Sequence, residues 1–148
     1  MPIARRILPE FGLTFVRYFG DVTVKENLDC FLGYIDDPQF DPNFHVLVDQ
    51  ESCTLSEATY SEMRRLAYCL QPYYKARGRA SRTALYGPTD VQFGISRLYE
   101  SVSETYVDRD VGVFRTQEEA LAYLGYDPED QELFDTLWHS ALQFKSGT

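Results

Sequence analysis

The sequence predicts an α/β domain: a mixed sheet of about five strands with helices packed on it. Three observations predict it. A threonine followed three residues later by Glu or Gln recurs, at Thr23, Thr54, Thr89 and Thr116 among others. Apolar residues repeat at helical spacing behind each such pair. Short β-branched or aromatic runs alternate with those segments.

Residues 7–20, ILPEFGLTFVRYFG, read as two strands of an antiparallel hairpin turning near Phe11-Gly12. Thr23-Val-Lys-Glu26 is a capping-box start, the threonine accepting the N3 amide and the acid reaching back to the cap. Leu28, Phe31, Leu32 and Ile35 then line one side of a first helix. Residues 45–49, HVLVD, form a strand. Thr54-Leu-Ser-Glu57 is expected to open a second helix with Met63, Leu66, Ala67, Leu70 and Tyr74 as its stripe. A strand over 82–87, RTALYG, precedes a third helix opened by Thr89-Asp-Val-Gln92, its stripe being Val91, Ile95, Leu98 and Val102. The strand VGVFR leads into a short fourth helix opened by Thr116-Gln-Glu-Glu119 and stopped at Gly125. Asp127-Pro128 marks a fifth start, with a stripe of Phe134, Leu137, Trp138 and Ala141 on a C-terminal amphipathic helix. After the hairpin, strands alternate with helices, which implies right-handed crossovers and parallel pairing.

Residues 1–148 fit one domain. The net charge of −9 opposes any general nucleic-acid role. Cys30, Cys53 and Cys69 are odd in number and lack C-x-x-C spacing, so reduced thiols and no zinc site are expected. The N-terminus has no apolar run behind its charges, and no stretch approaches membrane-spanning length. A soluble, cytoplasmic protein without a transmembrane segment or cofactor is the resulting expectation.

Gly20-Asp-Val-Thr23, Phe40-Asp-Pro-Asn-Phe44 leading into HVLVD, and the later VFRTQEEALAYL occur in an order that resembles the STAS-type, anti-sigma-factor-antagonist-like bacterial proteins, often grouped with CRAL-TRIO lipid-binding folds. The resemblance covers about residues 12–125, leaving a helical extension over about 127–143. It implies a binding or regulatory role rather than catalysis. In the phospho-switched members an Asp-Ser-Ser-Gly motif opens the helix after the central strand, about nine residues beyond its acid. Counted from Asp49, the acceptor serine falls on Ala58, within Glu57-Ala58-Thr59-Tyr60; Ser56 and Thr59 are then the candidate phospho-acceptors.

Ligands of open α/β sheets favour the carboxyl ends of strands, and Asp49 stands at one. Ser52, Cys53 and Thr54 follow it, and Tyr86, Gly87 and Thr89 mark the next strand end. Together they form a candidate anion or partner site, or else a set of caps and turns. Cys53 as a nucleophile needs a base, and the two histidines are His45, about 13 Å from Asp49 along an extended strand, and His139 on the terminal helix. Asp36, Asp37 and Asp41 read as turn acids beside prolines rather than as a metal site. Arg64, Arg65, Lys75, Arg77, Arg79 and Arg82 concentrate positive charge, while 116–144 is acidic; the two are helix-end charges or complementary patches of a self-associated form, or the basic cluster is a rim for an anionic ligand head. Phe93 and Tyr68 lie off their helices' apolar stripes and either pack on a neighbouring helix or mark a contact surface. The functional expectation is a non-enzymatic module that binds a protein partner or a second copy of itself. The alternative is a carrier for a lipid-like or apolar anionic molecule held between helices and sheet.

Overall fold

The computed structural model describes residues 2–107 and 110–139. β1 (Ile3–Leu8) and β2 (Leu13–Asp21) pair antiparallel, from Ile3 opposite Tyr18 to Leu8 opposite Leu13. A 3₁₀ turn over Pro9–Phe11 joins them and closes on Gly12, whose φ of 62° lies in the left-handed region that glycine enters without a Cβ clash. β3 (His45–Thr54), β4 (Arg82–Tyr86) and β5 (Asp110–Phe114) follow in chain order, each parallel to its predecessor, giving the sheet β1-β2-β3-β4-β5. The predicted mixed five-stranded α/β sheet is therefore present, hairpin first and parallel units after.

α1 (Val24–Ile35), α2 (Tyr60–Cys69), α3 (Gln71–Ala76) and α4 (Asp90–Ser103) connect the parallel strands; α5 (Gln117–Tyr123), α6 (Gln131–Phe134) and a π-helical turn over Asp135–His139 follow β5. Thr23 and Thr89 make complete capping boxes with Glu26 and Gln92, and the Thr116 hydroxyl accepts the Glu119 N–H. Thr54 does not cap a helix. It is the last residue of β3, and the cap of α2 lies five residues later, where Thr59 accepts the Glu62 N–H. The strand wins at Thr54 because β2 is long enough to pair with it, at Asp21. The second helix is also broken. Pro72 supplies no amide to the Tyr68 carbonyl, so the chain turns at Leu70 and starts again as α3. Asp127-Pro128 likewise forms a turn, Asp127 accepting the Glu129 N–H, and the cap of α6 is Asp130. Ala141, the last residue of the expected terminal stripe, lies outside the described residues.

The two faces of the sheet have separate cores. On one, Val16, Tyr18, Val46, Val48 and Leu85 pack beneath α1–α4, meeting Phe31, Met63, Leu66, Tyr73 and Tyr99. On the other, Leu13, Phe15, Leu47, Ala84 and Tyr86 pack beneath α5, α6 and the π turn, meeting Leu121, Leu133, Leu137 and Trp138. A fully buried Leu or Phe contributes roughly 1.5–3 kcal/mol, so each layer is a substantial part of the fold's stability. Helix α4 presents a partly unexpected face to the sheet. Of the expected stripe, Val102 is buried and Ile95 and Leu98 pack against the core, but Val91 is 68% exposed, and Gln92, Ser96, Tyr99 and Ser103 are buried as well. The polar residues go inward because each finds a partner there: Ser96 donates to Gln50, Gln92 to the β3 backbone, and Tyr99 pairs with Tyr74.

Arg77 is not a surface cation. It is 3% exposed and donates to Tyr73, Thr83, Ser81 and the Arg82 carbonyl, joining α3 to β4. Three other members of the basic cluster are engaged at separate places: Arg65 with Glu62, Arg64 with the Tyr106 hydroxyl, and Arg82 with Asp110 and the Tyr123 carbonyl.

Candidate functional site

Strand β3 outruns its neighbour. Its ladder with β4 ends where Asp49 faces Tyr86, but it continues to Thr54 along β2. Across the carboxyl end of the sheet, one row runs Arg17, Asp49, Tyr86, Phe114. Beyond that row the register slips, Arg17 pairing with Asp49 but Phe19 with Ser52, so β3 carries an extra residue. A bulge of this kind reverses which side chains face which way. Asp49 therefore belongs with Trp138 on the α5/α6 side, while Cys53, four residues on, is buried beneath α1–α4. Regular alternation would have put both on one face. The sequence carried no sign of the inserted residue.

Asp49 has no solvent exposure. Its Oδ1 accepts the Glu51 N–H at 2.9 Å, an amide the bulge turns out of the ladder. Its Oδ2 accepts the Trp138 indole N–H at 3.0 Å. Arg17, 8% exposed, places Nε 3.3 Å from the same oxygen, out of line for a hydrogen bond, so that contact is Coulombic rather than directed. Burial raises the Asp49 pKa, opposed by the Glu51 amide, the Arg17 charge and the Trp138 donor. Trp138 closes this end of the sheet, its ring edge-on to Phe15 at 5.6 Å and to Tyr86 at 6.4 Å. Asp49 and Tyr86 thus belong to the floor beneath the C-terminal segment rather than to an open crest.

Cys53 is buried, and its thiol is pushed up to about 12 by burial and the charges of Asp49 and Asp21. A thiolate is the nucleophilic form, so this thiol is inert at neutral pH. Neither histidine is near it along the sheet. His45 begins β3 and accepts the Arg82 N–H at Nδ1, while His139 is exposed and pairs with Asp135. Gly87 is a packing glycine: a Cβ there would stand 2.7 Å from the Gln92 Cβ. Thr89 caps α4. Phe93 is half-buried with the Arg115 guanidinium over its ring at 4.3 Å, and Arg115 also pairs with Asp90 at 2.7 Å. Ser52 is half-buried beside Phe19.

The loop from β3 to α2 is tied down by acids. Asp21 accepts from the Thr54 hydroxyl, the Ser56 N–H and the Ser56 hydroxyl, the last at 2.6 Å. The Ser56 hydroxyl and amide hold the Asp21 carboxyl below its usual value. Glu57 accepts the Val24 N–H at the start of α1. Both phospho-acceptor candidates therefore have structural bonds, Ser56 to Asp21 and Thr59 to the α2 amide of Glu62. Asp37 and Asp41 each accept an N–H two residues on, forming turns, and Asp37 also pairs with Arg5. Among the described residues no three of His, Cys, Asp and Glu come together as metal ligands.

What remains open at the carboxyl edge is a surface. In a parallel sheet the helices that follow the strands start there; Tyr60, 60% exposed, is the first residue of α2, and Val91, 68% exposed, is the second of α4. Glu51 at the β3 overhang, Glu57 in the loop before α2 and Asp90 at the start of α4 are exposed as well. Reading the sequence singled out neither residue: Val91 was assigned to the core, and Tyr60 was passed over because its helix was started too early. Gln92 was also underrated, since beyond its capping bond it donates to the Glu51 and Cys53 carbonyls and joins α4 to the β3 overhang. No helix among the described residues is long and apolar enough to cross a membrane. No family model matches the chain, and no curated protein matches it either.

Proposed function

We propose that the protein is a non-enzymatic, STAS-like regulatory module that docks a protein partner on the carboxyl edge of its sheet. The observation that carries this reading is the pairing of two exposed apolar side chains, Tyr60 and Val91, with the exposed acids Glu51, Glu57 and Asp90. Apolar anchors within a charged rim make up the usual anatomy of a docking patch. The complementary surface is basic with an apolar centre, in keeping with the chain's net charge of −9. The residues that could have carried chemistry are otherwise occupied: Cys53 is buried, Asp49 is under Trp138, and Ser56 and Thr59 hold the loop.

The test compares affinity capture from cell extract by the wild type, Tyr60→Ser, Val91→Asp and the double charge reversal Glu51→Lys/Glu57→Lys, each checked for its fold by circular dichroism. A captured protein that binds the purified wild type directly, weakens at high salt and is lost from all three variants supports the reading. Capture indifferent to those variants, or a hydrolytic turnover of generic esters abolished by Cys53→Ala, overturns it. Light scattering on the isolated chain tests whether the partner is a second copy.

A further inference from the structure

A cavity of about 60 Å³ lies between the sheet and α1–α4, on the face opposite Trp138. Its wall includes Tyr18, Phe31, Gln50, Met63, Tyr74 and Tyr99, and no charged side chain contributes to it. At roughly 10–15 Å³ per water-sized group, the space takes about five such groups. Most polar atoms on the wall are already matched: Tyr18 donates to Asn27, Tyr74 pairs with Tyr99 at 2.9 Å, and the Ser96 hydroxyl donates to Gln50 Oε1 at 2.9 Å. Gln50 has a second polar end. This side chain is 5% exposed and lines the cavity, and with its Oε1 taken by Ser96 its amide nitrogen is the donor it has to offer. A single amide donor on an otherwise apolar wall selects a ligand that carries an acceptor.

We propose that this cavity is a binding site for a small, uncharged, mostly apolar molecule with one hydrogen-bond acceptor, received by the Gln50 amide. The aromatic and aliphatic wall sets the apolar character. The absence of any cation on it excludes a carboxylate or phosphate, since burying an unpaired anion is far costlier than burying a neutral carbonyl. Size sets the third limit: the space is several-fold below the ~300–1,000 Å³ of sites for drug-sized ligands, so a lipid does not fit. The position of Gln50 follows from the strand. It is the last helix-facing residue of β3 before the bulge, held by Ser96 of α4 at Oε1, which leaves the amide nitrogen to donate.

The experiment titrates the full chain, with methyl groups labelled for NMR, with butanone or with propionate, each of five non-hydrogen atoms, one neutral and one anionic. Saturable shifts of the Met63, Leu66 and Leu85 methyls with butanone, absent with propionate, are expected. Gln50→Leu, which keeps the volume and removes the donor, is expected to weaken butanone at least fivefold. The wild-type comparison stands even if that variant folds poorly. Equal response to the two probes, no saturation with butanone, shifts confined to the other sheet face, or undiminished binding by a folded Gln50→Leu each overturn the proposal. Tyr60→Ser should leave the titration unchanged, which separates this site from the docking edge.

Discussion

The indole N–H of Trp138 donates at 3.0 Å to a carboxylate oxygen of Asp49, joining the C-terminal segment to the centre of the sheet across 89 residues of chain. A single bond of this kind contributes about 1–3 kcal/mol when its loss leaves a buried charged group short of a partner. Trp138→Phe keeps most of the apolar contact with Phe15 and Tyr86 and should destabilise by about that amount. Trp138→Ala adds a cavity and should cost about 3–5 kcal/mol. Urea unfolding followed by circular dichroism measures both, since the chain has one tryptophan and its fluorescence is lost with it.

Asp49 should leave its mark on the pH dependence of stability. Burial raises its pKa from the usual 3.8, so over the interval between that value and the raised one the folded state holds a proton the unfolded chain has lost. The favourable contribution is complete below pH 3.8 and disappears as pH rises through the raised value, about 1.4 kcal/mol for each unit of elevation. The wild type minus Asp49→Asn difference in unfolding free energy should therefore fall between pH 3.5 and pH 7, other carboxylates cancelling. A difference that rises over that interval would refute the assignment.

The cysteines should react in a fixed order. Cys53 is buried with its thiol at about 12, and burial also raises the Cys30 thiol, opposed by Arg5. Cys69 is half-buried. Timed alkylation at pH 8 with peptide mapping should modify Cys69 first and Cys53 only on unfolding, because thiolate supply governs the rate.

Helix starts separate two threonines that look alike in the sequence. Thr59→Ala removes the hydroxyl that accepts the Glu62 N–H and should cost about 1 kcal/mol. Thr54→Ala removes a bond from an exposed strand end to Asp21 and should cost under about 0.5 kcal/mol. Thermal or urea denaturation of the two variants side by side measures the contrast, and the reverse order would place the helix start at Thr54.

Those two positions also show where the sequence was legible. Thr23, Thr89 and Thr116 could be read as caps because the pattern is local, involving one hydroxyl and the amide three residues on. Thr54 has the same local pattern, but a non-local partner, the long β2, draws it into the sheet. Strand order followed from alternation of elements, whereas the bulge after Asp49 did not, since an inserted residue has no compositional mark. The inward face of α4 was legible at Ile95, Leu98 and Val102 but not at its polar positions, for a related reason. Gln92 and Ser96 are buried only because a strand 39 to 46 residues away supplies their partners. Asp49 was expected to close its strand, but β3 runs five residues further along β2, and the cover of Asp49, Trp138, lies 89 residues on, beyond the reach of any spacing rule.

The two layers over the sheet come from different stretches of the polypeptide, and this orders events at the ribosome. The layer over one face is supplied by residues 24–103, interleaved with the strands, so that side is sheltered as the strands emerge. The other side is covered by segments that follow the last strand, from Gln117 onward. Phe15, Leu47 and Tyr86 therefore stay uncovered through most of translation, a greasy sheet face open to chaperones and to neighbouring nascent chains until the indole arrives.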